Sequence, residues 1–506
     1  MLKITPARAI ADPELLARGF RGKSWDRWRA CLKATFGEPL DRAEHRFFTE
    51  VAERSPPQHP VREAWYLVGR RAGKDSVAAA IAVTTAMTDH REHLRPGEVA
   101  VIACLAVSKQ QARIVLAYIK ASIFENRYLA PLVVRETEDG LELNNGIEIV
   151  VLANNYRSLR GRTILVCIMD ECCYWRSEES ATPDTETYAA VVPAMITLPD
   201  AMLIGITTVY RKAGLAYDKF KKHYGQDDPD VLVIKAPTRS FNPLIPESFI
   251  QQQLELDPEV NAAEYMSDWR SDLADFVQRE VVEAAVDSGV RERPPVPGLK
   301  YTAFVDRSGG SSDAMTLAIA HRDPDGTAIL DLVRERQPQF SPEAVVAEFT
   351  VTLGAYRIAR VTGDAYGGEF VREPFRRHNI AYQLAKTTGD KQRHKSKSEI
   401  YRDALPLLNS GKLRMLDHPR LVNQLCSLER RASRNTGKDA IDHPAGLHDD
   451  LANAACGALV FAEAKKPLFV HPDVLRRSAV PLFGSPQSRY GQRRDTDGFI
   501  YDTWLQ

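Results

Sequence analysis

Gly69-Arg70-Arg71-Ala72-Gly73-Lys74-Asp75-Ser76 stands between a short apolar run and the Ala-rich stretch from Val77 to Met87. Glycines let backbone N–H groups curl around phosphate oxygens, and the N-terminus of a following helix favours negative charge. Lys74 is then placed to reach the β and γ phosphates of a nucleotide. Two positions depart from the usual pattern: Val68 replaces a first glycine, and Asp75 replaces the Ser or Thr whose hydroxyl holds Mg²⁺. Either Ser76 substitutes for that hydroxyl or Asp75 binds metal through water. About 95 residues further on, the apolar run Ile164 to Met169 ends in Asp170-Glu171. Phosphoryl transfer needs a carboxylate in the Mg²⁺ shell and a group that orients the attacking water. Asp170 suits the first role and Glu171 the second. Taken singly these are a glycine turn and a solvated strand end; in this order they point to nucleotide hydrolysis.

A second set of carboxylates lies in the C-terminal half. Asp306 follows Ala303-Phe304-Val305, Asp364 follows Val361-Thr362-Gly363, and His448-Asp449-Asp450 opens the stretch Leu451 to Ala462. Each has a plain structural reading, as a turn former or a helix N-cap. Together, on two strand ends and a helix start, they match two-metal phosphodiester cleavage, which needs several carboxylates converging on ions about 3.5 to 4 Å apart. Adjacent residues point about 100° apart on a helix, so Asp450 is favoured as the direct ligand and Asp449 as a cap or outer partner. Asp313 and His448 are secondary candidates. Lys386, Lys391, Arg393, Lys395 and Lys397 form a basic segment suited either to solvent or to DNA phosphates.

The loop, the carboxylate strand and the later run Ile204-Gly205-Ile206-Thr207-Thr208-Val209 resemble, in order, the Walker A, Walker B and coupling motifs of large terminases, the DNA-packaging subunits of tailed bacteriophages. Val107-Ser108-Lys109-Gln110-Gln111-Ala112 is similar to a helicase-type segment of that family. Ser158-Leu159-Arg160-Gly161-Arg162 is similar to the stretch presenting an arginine to a neighbouring subunit's ATP. The resemblance makes Arg160 the first candidate finger, with Arg157 and Arg162 as alternative registers, and Thr207 or Thr208 the coupling residue. Asp306, Asp364 and Asp450 resemble the family's ribonuclease H-like nuclease, as do Lys397-Ser398-Glu399-Ile400-Tyr401 and His-Asp-Asp-Leu-Ala-Asn-Ala at 448–454. It implies ATP with Mg²⁺ in one half and Mg²⁺ or Mn²⁺ in the other. It further implies double-stranded DNA, a portal protein and a small terminase subunit as partners, a homo-oligomeric ring that is a pentamer when packaging, and work in the host cytoplasm at the procapsid portal vertex. Two other readings are a nucleotide-switched assembly protein that does not cut DNA and a helicase-type translocase fused to a nuclease.

The elements that must position these residues are α/β throughout. From 61 to 210, apolar runs at 65–68, 99–105, 147–152, 164–169 and 202–206 alternate with helical stretches, which predicts a mainly parallel sheet. Residues 1–60 read as a helical extension in which Trp25 and Trp28, one turn apart, pack on the next domain. Residues 211–290 read as a mostly helical lid. Arg291 to Gly298 carries three prolines and is expected to be a linker at 291–299. From 300 to 465, strands at 301–305, 315–320, 328–333 and 358–362 and helices from about 342 and 398 predict a mixed sheet, and the resemblance to the terminase nuclease implies a further helix over 421–431. Residues 466–506 read as a flexible tail with a terminal aromatic cluster.

Composition sets bounds. At 506 residues the chain is long enough for two or three cores. Lys plus Arg equals Asp plus Glu at 67 each, so DNA contact must come from local patches rather than overall charge. The seven cysteines include no C-x-x-C pair, which argues against zinc and a disulfide framework. The longest apolar stretch, Val99 to Val107, is far below the roughly 20 residues that span a bilayer, and the N-terminus has no signal-peptide pattern.

Overall fold

The computed structural model describes the chain except residues 1–3, 154–157, 176–182, 307–313, 364–371, 388–389, 432–438, 445–446, 463–491, 495–499 and 503–506, and the side chains of 153, 387, 390–393, 492–494 and 500–502. Strands β1 (Glu63–Val68), β2 (Ala100–Ala106), β3 (Val133–Thr137), β4 (Gly140–Leu143), β5 (Ile147–Ala153), β6 (Thr163–Asp170), β7 (Met202–Thr207) and β8 (Val231–Ala236) form one sheet. Its order is β3-β4-β5-β2-β6-β7-β1-β8. The six strands from β5 to β8 run parallel, and β3 and β4 add an antiparallel hairpin at one edge. Parallel strands are buried on both faces, and β1, β2, β6 and β7 are accordingly near-continuous Val, Ile, Leu and Ala runs. Strand β8 lies in the segment expected to be mostly helical. Its run Val231-Leu232-Val233-Ile234 is a buried strand that pairs with β1.

The N-terminal helices Ser24–Thr35 and Arg42–Ala52 dock on this sheet as the tryptophan spacing predicts. Trp28 is fully buried, stacks on Phe241 at 4.1 Å and meets Tyr66 edge-on. Trp65 on β1 faces Gly205 on β7, and a Cβ on Gly205 would sit 2.2 Å from the Trp65 ring. Gly205→Ala is therefore expected to destabilise the chain by about 1–3 kcal/mol through overpacking. Thermal unfolding checks it; an unchanged midpoint would show that Trp65 moves freely.

The second sheet contains β10 (Val286–Asp287), β11 (Tyr301–Asp306), β12 (Met315–Arg322), β13 (Ala328–Arg336), β14 (Arg360–Gly363), β15 (Ala381–Leu384) and β18 (Leu413–Leu416), in the order β10-β18-β13-β12-β11-β14-β15. Strands β11, β12 and β13 form an antiparallel meander, while β14 and β15 extend it parallel to β11, so the sheet is mixed. This is the ribonuclease H-like arrangement. The β12–β13 turn closes at Asp323–Gly326 with Gly326 at φ +90°, as its composition predicts. Helix Asp450–Phe461 covers one face and helix Pro342–Ala355 the other. A three-stranded ribbon joins β9 (Leu273–Asp275), β19 (Glu429–Arg431) and β20 (Ala440–Asp442); β16 (Lys386–Thr387) and β17 (Asp390–His394) form a separate hairpin.

The helix expected over 421–431 ends at Ser427, because Glu429 to Arg431 turns into strand pairing with residues 273–275 and 440–442. Segment 211–290 thus supplies a strand to each sheet and one to the ribbon. The proline-rich stretch lacks helix and strand but is pinned to β13 by a hydrogen bond from the Arg293 N–H to the Asp331 carbonyl at 2.8 Å. Residues 464–506 form a separate unit. In it Gln492–Arg494 pairs antiparallel with Ile500–Asp502, where composition predicts no regular structure. No helix among the described residues is long and apolar enough to cross a membrane.

Candidate nucleotide and carboxylate sites

Strand β1 delivers the glycine loop to the carboxyl edge of the parallel sheet, and helix Lys74–Ala86 carries it away. Gly73 sits at φ +93°, where a Cβ would also strike Trp25 at 2.9 Å, so only glycine fits. The loop's carbonyls are held from outside it: the Trp28 indole N–H donates to Ala72 O at 2.8 Å, Thr238 Oγ1 to Arg70 O at 2.8 Å, and Asn242 Nδ2 to Arg71 O at 2.8 Å. The loop clamped in this way leads directly into the N-terminus of helix Lys74–Ala86, and a glycine loop at a helix N-terminus is an arrangement that favours anions. Arg70 and Arg71 are exposed beside it, and Arg70 pairs with Glu264 at 3.5 Å.

Lys74 is buried, and its ammonium meets Glu171 Oε1 at 2.7 Å and Thr208 Oγ1 at 3.4 Å. Burial alone would lower its pKa, but Glu171 and Asp75 outweigh that and hold it above its ordinary value. Glu171 directly follows β6 in the left-handed region at φ +50°, a strained backbone for a non-glycine residue. That turn aims its carboxylate at β7: it accepts from the Thr208 N–H at 2.9 Å and from Thr207 Oγ1 at 3.2 Å. The loop lysine, Thr207 and Thr208 therefore meet at the one Glu171 carboxylate. Burial, then Glu171 and Asp75, push Asp170 up to about 8, against Lys74, and Gln111 hydrogen-bonds it. Burial likewise raises Asp75, which Lys74 opposes. Of the two alternatives at the loop's departure, Asp75 faces the carboxylates, while Ser76 lines a separate groove with Tyr118 and Ser122. An all-oxygen, multiply acidic donor set suits a hard divalent cation.

Arg160 is exposed just before β6. Arg162 is tied within the chain, donating to Ser158 O at 3.1 Å and to Glu148 at 3.2 Å, and Arg157 lies outside the described residues. Seven strand steps separate Thr163 from Asp170, about 23 Å. Arg160 thus stands at the end of the sheet opposite its own chain's loop.

In the second sheet, Asp306 ends β11 and Asp450 starts the covering helix. Two contacts bring them together: Asn453, one turn into that helix, donates to Asp306 Oδ2 at 2.9 Å, and Thr316, which pairs with Asp306 across the sheet, donates to the Asp450 carbonyl at 2.8 Å. Asp364 and Asp313 lie outside the described residues; β14 ends at Gly363, which pairs with Val305. Asp449 occupies the N-cap position but makes no side-chain cap. Its buried carboxylate instead accepts from Tyr401 OH at 2.7 Å and pairs with Lys397 at 3.0 Å. Lys397 also meets Asp442 at 2.7 Å; burial opposes its charge, but Asp449 and Asp442 raise it well above the ordinary lysine value. Asp442, His443 and Asp449 offer ligand atoms within 4.8 Å of one another. The Lys397 ammonium binds two of these three.

The basic segment is only partly available to phosphates. Lys395 is buried against Asp403 and over the Phe461 ring, and Lys397 is an internal counter-ion, so neither is a free surface charge. Lys386 is exposed, and the side chains of Lys391 and Arg393 lie outside the described set. The residue reading missed Gln111 as a partner of Asp170, although its segment stood out, and missed Asn453, Tyr401, Asp442 and His443. The Tyr401 contact with Asp449 and the Asn453 contact with Asp306 join segments distant in sequence, and Asp442 and His443 come to Asp449 only because β20 pairs into the ribbon, so spacing alone could not assign these partners.

No protein-family model matches the chain, and no curated protein is a significant match. Solved structures of large terminases are among those it is similar to. They include that of bacteriophage HK97, at 18% identity over 83% of this chain and 96% of that one with a TM-score of 0.36, and that of a thermophilic bacteriophage in complex with ADP, at 12% over 79% and 93% with a TM-score of 0.35. The large terminase nuclease of thermophilic phage G20c with bound magnesium is similar at 16% identity over 36% of this chain and 96% of that one, with a TM-score of 0.30.

Proposed function

We propose that this chain hydrolyses ATP to drive double-stranded viral DNA into a procapsid, and that a second, metal-dependent centre cuts concatemeric DNA. The observation that carries the reading is the Glu171 carboxylate, shared between the loop lysine, Thr207 at the end of β7 and Thr208 just after it. Phosphate oxygens compete with Glu171 for Lys74; once Lys74 turns to them, Glu171 is free to orient the attacking water. The hydrogen bonds to Thr207 and Thr208 link that change to β7, which makes these threonines the coupling residues. Bound Mg²⁺ would supply charge neutralisation at the phosphates, held by Asp170 with Asp75; Mg²⁺ or Mn²⁺ held by Asp306, Asp364 and Asp450 would activate water and steady the leaving oxygen in the nuclease. The ATPase core spans residues 61–210 together with β8 (Val231–Ala236), and the nuclease 300–465. Portal and small terminase subunit are the partners, and the site of action is the host cytoplasm at the portal vertex.

Purified protein should release phosphate from ATP and should nick supercoiled plasmid in Mn²⁺ but not with chelator. Absence of both activities would remove the proposal. Because Arg160 stands at the far end of its own sheet, it is assigned to the ATP of the next subunit in a closed ring, a pentamer by family resemblance. Arg160→Ala should leave nucleotide binding by the monomer intact and lower the ATPase of assembled rings by about 10³-fold or more. Equal turnover in mutant and wild-type rings would exclude a finger at this position.

A further inference from the structure

At the end of the second sheet where β11 and β14 begin, beyond the end of helix Asp450–Phe461, lies a groove of about 910 Å³. Four cations line it from three segments: Lys300 before β11, Arg357 and Arg360 on the stretch from the end of helix Pro342–Ala355 to the start of β14, and Lys386 after β15. Among the described residues no carboxylate lines it. Other arginines of this half are neutralised locally, Arg334 by Glu292, Arg336 by Glu348 and Arg377 by Glu343. Arg357, Arg360 and Lys386 are exposed and form no ion pair with any described carboxylate. Like charges converging on one groove repel one another, so the arrangement suits a polyanion that relieves the repulsion.

The strand period ties this groove to the carboxylates. Thr302 and Phe304 face the covering helix, through a hydrogen bond to the Phe461 carbonyl and a stacked contact with its ring. Asp306 lies two residues beyond Phe304 on the same face, where Asn453 of that helix meets it. Arg360 and Thr362 of β14 flank Thr302 and Phe304 by register, and Gln383 pairs with Thr362. Thr302 and Arg360 of the groove thus lie on the face that carries Asp306, about 13 Å from it along β11, while Ala303, Tyr356 and Ile358 carry the groove round the end of the sheet to the other face.

We infer that this groove holds the phosphodiester backbone of duplex DNA on its way to the Asp306–Asp450 centre, an inference that rests on the nuclease reading above. Its contacts are to phosphates, so binding there is independent of base sequence and depends steeply on salt.

The test compares two triple variants of the full chain with equal loss of charge: Arg357→Gln/Arg360→Gln/Lys386→Gln in the groove, and Arg334→Gln/Arg336→Gln/Arg377→Gln among the paired arginines. Binding of a labelled duplex is measured by anisotropy in chelator across a salt series, and cleavage in Mn²⁺ across DNA concentrations. The groove variant should lower the slope of log affinity against log salt by about 2.7, which narrows its affinity gap to wild type by roughly 40-fold between 0.05 and 0.2 M salt. It should raise KM for DNA with kcat unchanged, while the control variant follows wild type. An unchanged slope in the groove variant, or an equal loss in both variants, would overturn the groove while leaving the nuclease reading intact. Failure of the wild-type chain to bind or cleave duplex DNA would overturn both.

Discussion

Glu171→Gln is expected to bind ATP and lose its hydrolysis by about 10²- to 10⁴-fold, the usual contribution of a positioned acid–base group. Glutamine keeps the shape and can still accept from the Thr208 N–H, so the turn at the end of β6 should persist. It cannot pair ionically with Lys74, which in wild type must exchange Glu171 for phosphate. Nucleotide affinity in Glu171→Gln should therefore equal or exceed that of wild type, whereas Lys74→Ala should lose it. Steady-state phosphate release beside binding of a fluorescent nucleotide separates the two effects. Full turnover in Glu171→Gln would take the water-orienting role away from this residue.

Asp306→Asn and Asp450→Asn should each reduce plasmid cleavage by about 10²-fold or more, since even the partners of metal ligands cost 10- to 100-fold. Thermal stability should hold, because asparagine preserves shape at both positions, and ATPase should survive because the two carboxylate sets lie on different sheets. Asp364→Asn should behave alike. Asp449→Asn should differ: its carboxylate anchors Tyr401 and half of the Lys397 ion pair, so the variant should lose about 1–3 kcal/mol of stability along with cleavage. Had Asp449 been a helix cap, asparagine would have served nearly as well. Cleavage, ATPase and melting on one preparation of each variant decide the matter. Full cleavage by Asp306→Asn would dissolve the metal centre, and a stable Asp449→Asn would remove its anchoring role.

What was legible in the sequence follows from how local the signal is. Strands β1, β2, β6 and β7 are buried on both faces and announce themselves as apolar runs, and the glycine loop carries its own backbone logic at Gly73. Strand β8 was obscured by the charged helices around it. Strands β19 and β20 are three residues each and exist only through pairing with residues 273–275 and with one another, so no local pattern distinguishes Glu429-Arg430-Arg431 from the end of a helix. The roles of Lys395 and Lys397 were hidden for a similar reason: a run of cations looks like surface until the fold brings Asp403, Asp442 and Asp449 to it. Thr207 and Thr208, by contrast, lie where the motif order places them, since β7 is parallel to β6 and their register fixes the distance to Glu171.

The motor claim is tested most directly by DNA protection. Wild-type chain, portal-bearing procapsids, linear duplex DNA and ATP are mixed, and the DNA that survives added DNase is measured. ATP-dependent protection is expected with wild type and with Asp306→Asn, whose defect is confined to cutting, and none with Glu171→Gln. Protection that is equal with and without ATP, or that persists in Glu171→Gln, would contradict ATP-driven translocation by this chain.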